Sequence, residues 1–208
     1  LSQVKTRAVV EQMKLVGYQL RTDLKTISNT NYIVKRAWKR MWVVRRLKML
    51  GAGEQDLLNV LRAQVLSVLQ FATPAWSTLL TVAESARIES VLRTGLHLVY
   101  GDKYRSFNWA LKEANMSSLE DQRKKVFRTF TLACIKSNKF KNWFMKYNEE
   151  GGQAANTRQK KPRFKPVHTR TSAFARSAIP QMVRLANSMK PPKSQTQIIL
   201  NSGQILNI

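Results

Sequence analysis

The chain has 208 residues, with 36 Lys and Arg against 12 Asp and Glu for a formal net charge of +24, and 43% of the residues are hydrophobic. That apolar content is enough to offset the entropy of ordering, which excludes wholesale disorder, and the charge calls for a polyanionic partner. A single cysteine, Cys134, excludes an internal disulfide, and no apolar run approaches the roughly 20 residues that cross a bilayer.

Nothing at the amino end resembles a signal peptide, so an intracellular protein is expected. The chain begins at Leu1 rather than at a methionine, which is read as a fragment of something longer. The charge is unevenly placed. All carboxylates lie between Glu11 and Glu150, so residues 151–208 combine ten Lys and Arg with no acidic side chain.

Residues 9–20 mix β-branched and aromatic side chains around Gly17, predicting a strand or hairpin edge, and Thr22 and Asp23 supply turn chemistry. From Asn31 the period changes. Ile33, Val34, Ala37, Met41, Val44 and Leu47 fall at spacings of three and four, predicting an amphipathic helix that Gly51 and Gly53 stop after Leu50. A second helix is predicted from Glu54 to about Phe71, with Leu57, Leu58, Leu61, Val65, Val68 and Leu69 inward and Pro74 ending it.

Thr81 with Glu84 three residues later is a capping-box pattern for a third helix, which runs through Ile88, Val91, Leu92, Leu96 and Val99 to Gly101. A short fourth helix is predicted over Ser106 to Ala114. Ser117 or Ser118 caps a fifth from Leu119 to about Ser137, with Val126, Phe127, Phe130, Ala133 and Cys134 on its buried face. Phe140 to Tyr147 predicts one more short helix. After Glu150 the pattern gives way to a basic arm in which Lys160, Lys161, Arg163 and Lys165 interleave with Pro162, Phe164 and Pro166. Ile179 to Met189 is a last amphipathic stretch, able to order on a partner.

Three basic clusters stand out. The sharpest is Lys35, Arg36, Lys39, Arg40, Arg45, Arg46 and Lys48 on the first helix, where residues 24–53 contain no acid to pair with them. On a helical wheel Lys35, Arg36, Lys39 and Arg46 face away from the Ile33–Ala37–Val44 seam, as a stripe that follows a phosphate backbone would. Trp38 and Trp42, one turn apart, are expected in the core, with stacking on bases as the alternative. The second cluster is Arg123, Lys124, Lys125 and Arg128, for which phosphate contact and an ordinary exposed face with local ion pairs are equally open readings. The third is the arm from Arg158 to Arg170, read as releasing counterions on RNA or DNA, although nuclear targeting uses the same composition.

Catalytic chemistry finds little support. His97, among Leu96, Leu98 and Val99, is expected as a core histidine, and no close carboxylate pair suited to two-metal chemistry, phosphate-cradling glycine loop or nucleophile elbow is present. Cys134 is expected as a small buried hydrophobe. A cationic helix carrying tryptophans also suits an anionic lipid surface, a weaker reading because neighbouring helices supply a partner for its apolar face.

The words Lys14-Leu15-Val16-Gly17-Tyr18, Lys35-Arg36-Ala37-Trp38-Lys39-Arg40 and Val68-Leu69-Gln70-Phe71-Ala72-Thr73-Pro74-Ala75-Trp76 follow one another at a spacing that resembles the carboxy-terminal region of non-LTR (LINE-type) retrotransposon reverse transcriptases. Ile88-Glu89-Ser90-Val91, Ala110-Leu111 and Ser118-Leu119-Glu120-Asp121-Gln122-Arg123 extend the resemblance, which covers roughly residues 9–147, and the basic arm to about Asn187 is also similar to the family's tail. It departs at Gln70-Phe71, where the family prefers Glu-Tyr, and at Val91-Leu92-Arg93.

The resemblance implies a mainly α chain: a short N-terminal β-hairpin or strand, then a thumb-like helical bundle and a basic, largely irregular C-terminal arm. The implied divisions are residues 1–27 as the end of a palm, 28–148 as the thumb and 149–208 as a flexible tail. It further implies that Leu15, Val16, Gly17 and Tyr18 position a primer end, while the basic helix lies along the template–primer duplex. The partners would be RNA, DNA or their hybrid and the upstream part of the same polymerase, in nucleus and cytoplasm. No Asp-Asp pair exists in this chain. Nucleotidyl transfer, with its magnesium ions, would therefore belong to an upstream part, and no cofactor is expected here. A stand-alone basic helical RNA- or DNA-binding protein and a non-functional remnant of a retroelement remain the alternatives.

Overall fold

A computed structural model describes residues 11–15, 17–23, 25–146 and 163–189, together with two short strands further on. Strand β1 (Gln12–Leu15) pairs antiparallel with β2 (Tyr18–Arg21), Leu15 opposite Tyr18 and Gln12 opposite Arg21. Gly17 turns the hairpin at φ +88°, a left-handed conformation that glycine adopts without steric cost. A methyl group there would lie 3.2 Å from Cε1 of Phe71, so the hairpin tip rests closely on that ring.

Helix α1 (Ile27–Met49) buries Ile33, Val34, Ala37, Met41 and Val44, the seam its periodicity predicts. It ends in a Schellman motif: the Ala52 amide bonds to the Leu47 carbonyl, the Gly51 amide to that of Lys48, and Gly51 takes φ +81°. Helix α5 (Val82–Tyr100) packs along α1 and buries Ile88, Val91, Leu92, Gly95, Leu96 and Val99. The predicted capping box is present, with Thr81 Oγ1 accepting from the Glu84 amide and the Glu84 carboxylate accepting from the Thr81 amide.

Between them the predicted second helix is interrupted. Helix α2 (Glu54–Val60) passes into a π-helical stretch (Leu61–Leu66) and then into α3 (Ser67–Gln70). Pro74 does not end this rod. Phe71 turns extended and Ala72 left-handed, and Pro74 sits in the first turn of a new short helix, α4 (Thr73–Trp76), where its missing N–H has no partner to lose. Trp76, fully buried, donates its indole N–H to the Phe71 carbonyl at 2.9 Å.

Helix α6 (Phe107–Glu113) starts at Ser106, whose hydroxyl accepts from the Trp109 amide. Helix α7 (Leu119–Lys136) is capped by Ser118 but is rotated from the predicted orientation. It buries Leu119, Arg123, Phe127, Thr131 and Cys134, leaving Val126, Phe130 and Ala133 exposed. Its first turn decides this: the Leu119 amide bonds to Glu89 and the Arg123 guanidinium to Ser85, which turns that edge toward α5. The predicted helix at 140–147 is a 3₁₀ stretch, Asn138–Trp143, and Tyr147 lies outside the described residues.

Residues 163–189 build a second apolar cluster. Helix α8 (Ser172–Arg176) leads into α9 (Ala178–Ser188), which packs Met182, Val183 and Ala186 against Phe127 and Cys134 of α7, with Phe144 and Phe164 completing the cluster. The rings of Phe144 and Phe164 meet edge to face, 5.4 Å between centroids, and Asn187 holds Phe164 through two backbone hydrogen bonds. Strands β3 (Ile198–Ile199) and β4 (Ile205–Leu206) pair antiparallel. The described chain is mainly helical, with the hairpin near its amino end, as predicted. No helix among the described residues is long and apolar enough to cross a membrane.

Candidate nucleic-acid interface

Because α1 buries the Ile33–Val44 seam against α5 and the π-helical stretch, its opposite side is left exposed among the described residues. Lys35, Trp38, Lys39, Trp42, Arg45, Arg46 and Met49 recur there at steps of three and four residues, all exposed. The expectation that Trp38 and Trp42 belong to the core is thus corrected. Trp42 is 64% exposed, since the seam is already filled by Ala37, Met41 and Val44, and both indoles fall within the cationic stripe. Among the described residues no carboxylate lies within ion-pair distance of an α1 cation.

Two of the predicted cations serve the fold instead. Arg40 donates to the Gln64 carbonyl at 3.0 Å, and Lys48 donates to the Leu98 carbonyl, so each satisfies a neighbouring element's backbone. Arg36 lies at the edge of the stripe. Its guanidinium covers the Tyr32 ring and donates to the phenol oxygen at 3.2 Å, while Lys14 of β1 lies over the same ring at 5.3 Å. The hydrogen bond from Lys14, with the charge of Arg36, lowers the Tyr32 phenol from its ordinary value. Lys14 thereby extends the positive surface of α1 onto the hairpin.

Beside the stripe, Asn31, Val34, Lys35, Trp38 and Lys39 of α1 border a shallow open groove whose far side carries Arg87 of α5. Neither Lys14 nor Arg87 was a candidate from sequence. Lys14 sits in the hairpin word but its reach to Tyr32 is a tertiary fact, and Arg87 is an isolated basic residue in a helix that carries acids nearby.

Leu15 is exposed, Gly17 and Tyr18 are half-buried, and Val16 lies outside the described residues. Burial raises the Tyr18 phenol, with the Glu84 charge adding to it. The hairpin is tied to α1 through the Gln19 amide, which donates to Asn29 Oδ1.

The second cluster does not form a cationic face as a unit. Arg123 is 5% exposed, its guanidinium turned inward to Ser85 at 2.6 Å, and burial lowers its proton affinity against the opposing charges of Glu89 and Glu120. Lys124 pairs with Glu120 at 2.7 Å one turn away, which raises its ammonium above the ordinary value. Lys125 and Arg128 remain exposed. In the arm Lys160 and Lys161 lie outside the described residues, and Arg163 is exposed with its guanidinium over the Phe164 ring.

His97 is exposed rather than in the core. It follows Leu96 onto the outer side of α5 and packs its ring against Tyr104, 4.8 Å between centroids. Cys134 is buried as predicted. Among the described residues no three His, Cys, Asp or Glu side chains gather as metal ligands. Comparison of the chain with protein-family models, with curated proteins and with solved structures finds no match.

Proposed function

We propose that this chain grips nucleic acid, as the thumb-like part of a non-LTR retrotransposon reverse transcriptase, and contacts a primed duplex mainly through phosphate. The observation that carries this reading is the exposed stripe of α1, where Lys35, Lys39, Arg45 and Arg46 alternate with Trp38 and Trp42 and have no acidic partner among the described residues. Uncompensated like charges at helical spacing destabilise a helix, and a polyanion relieves them by releasing its counterions. Indoles between the cations offer sequence-tolerant stacking surfaces. Phosphate contacts position without specifying, so little sequence preference is expected. The ordered words from Lys14 to Arg123 support the family assignment, and catalysis would fall to residues outside this chain.

The test is the affinity for a primed RNA–DNA duplex as a function of salt. A steep decline is expected, and the triple variant Lys35→Gln, Lys39→Gln, Arg46→Gln should flatten the logarithmic slope by up to about 3, from about 0.9 per lost phosphate contact on B-form DNA. A flat dependence in the parent chain refutes the reading.

A further inference from the structure

Apart from Asn29 Nδ2, the buried side-chain polar atoms without a partner among the described residues are Thr78 Oγ1, Glu89 Oε2 and Arg123 Nη1. All three of those residues line one cleft of about 630 Å³ between α5, α7 and the turn that follows α4. A buried donor or acceptor left unmade destabilises a fold, so three on residues that line one cavity call for a ligand. The volume lies in the range of small-molecule sites.

The groups are held on one side only. Ser85 Oγ takes one nitrogen of the Arg123 guanidinium, and the Leu119 amide takes Oε1 of Glu89, which leaves Nη1 as a donor and Oε2 as an acceptor. Phe107 and Phe127 give the cleft apolar wall, and Arg93 lies over the Phe107 ring at 5.0 Å. The ligand must therefore offer an acceptor beside a donor on a flat, largely apolar body.

We propose that this cleft takes a single unstacked nucleobase, with its edge read by Glu89 and Arg123 and its ring against the apolar wall. The edge of a base sets an N–H donor beside an acceptor, which suits one free carboxylate oxygen next to a guanidinium. Bases unpaired from a strand are commonly recognised in this manner, by stacking and by hydrogen bonds to their exposed edges. The ligand class rests on the nucleic-acid reading of α1, but the site shares no residue with that stripe.

Uncharged nucleosides separate the two. Guanosine, adenosine, cytidine and uridine are titrated into the whole chain at high salt and followed by amide chemical shifts around Ser85, Phe107 and Leu119. Saturable shifts are expected, insensitive to salt. Glu89→Gln keeps an oxygen for the Leu119 amide and loses the acceptor, so the nucleosides should bind it about tenfold more weakly or worse, the loss of one charge-assisted hydrogen bond. Arg123→Gln should weaken every nucleoside, and if it fails to fold the Glu89→Gln result stands alone. Absence of saturable shifts, or equal nucleoside affinity in Glu89→Gln, overturns the proposal and leaves the cleft to water. Either result leaves the salt dependence of duplex binding to decide the interface on α1.

Discussion

The Thr26 hydroxyl at the entry to α1 faces both oxygens of the Glu84 carboxylate at 3.0 Å each. Glu84 also accepts from Thr30 at 3.3 Å and from the Thr81 amide and hydroxyl at 2.9 and 2.8 Å, so one buried carboxylate caps α5 and ties it to the start of α1. Glu84→Ala should lower stability by about 3 kcal/mol, since it removes a cap and leaves the buried hydroxyls of Thr26 and Thr30 searching for partners. Urea unfolding measures this, with a lower midpoint at an unchanged slope. An unchanged midpoint would show that the tie contributes nothing.

Gly95 lies at the crossing of α1, α5 and the π-helical stretch. A methyl group there would stand 2.6 Å from Cδ1 of Leu61 and 3.3 Å from Cε of Met41, both fully buried. Gly95→Ala gains about 1 kcal/mol of helix propensity but forces a packed core apart at a cost of about 1–3 kcal/mol. A net loss is expected, and Leu61→Val in the same chain should recover part of it. Thermal unfolding of the single and double variants checks both.

Trp42→Ala should separate stacking from charge. The side chain is 64% exposed, so stability should change by less than about 0.5 kcal/mol. Affinity for a primed duplex with a single-stranded overhang should fall by about 1–3 kcal/mol, with the salt slope unaltered. Binding isotherms at two salt concentrations are sufficient. Loss of slope with affinity would mean that Trp42 orders the cations instead.

Asp23 accepts from Arg21 and from the Lys25 amide, and these bonds hold its carboxyl down from 3.8 to about 2. A depressed folded value means that its contribution is present above pH 3.8 and lost as pH falls through about 2. Carboxyl carbon chemical shifts should place the Asp23 midpoint near 2, and Arg21→Gln should return it toward 3.8. A midpoint unmoved by Arg21→Gln would assign the shift to the backbone bond alone.

Cys134 lies within the cluster of α7 and α9, where burial raises its thiol. A disulfide reagent at neutral pH should therefore modify it only as fast as this cluster opens. Met182→Ala should speed the reaction well above the parent rate while leaving amide exchange in α1 and α5 unchanged. Equal rates in the two chains would indicate another route to the thiol.

Helix ends were the most legible part of the sequence because caps are local chemistry. Thr81 with Glu84, Ser106, Ser118 and Gly51 mark their boundaries with side chains that act within a few residues. The apolar seams of α1 and α5 were equally plain, since a period of three and four leaves one solution for which face is buried. The π-helical stretch left no such mark. Leu61, Val65 and Leu69 continue an ordinary helical period, although Leu61–Leu66 adopt wider hydrogen bonding where they pack on α1. Rotation of α7 was likewise hidden, because Val126 and Phe130 are as apolar as Phe127, and the bonds of Leu119 and Arg123 to α5 together with the packing of Phe127 and Cys134 on α9 choose between them.

The candidate interface divides in the same way. Sequence by itself determined that α1 carries a cationic stripe opposite an apolar seam, that acids are missing from its vicinity, and that no Asp-Asp pair is present. Tertiary structure decided which cations are free to act: Arg40 and Lys48 satisfy backbone carbonyls, Arg123 points inward, and Lys14 and Arg87 join from other elements. It also exposed Trp38 and Trp42, whose apolar character alone had pointed to the core. The physical reason is that composition and period fix which groups must avoid water, whereas the partner of a polar or amphipathic group is set by what the fold brings beside it.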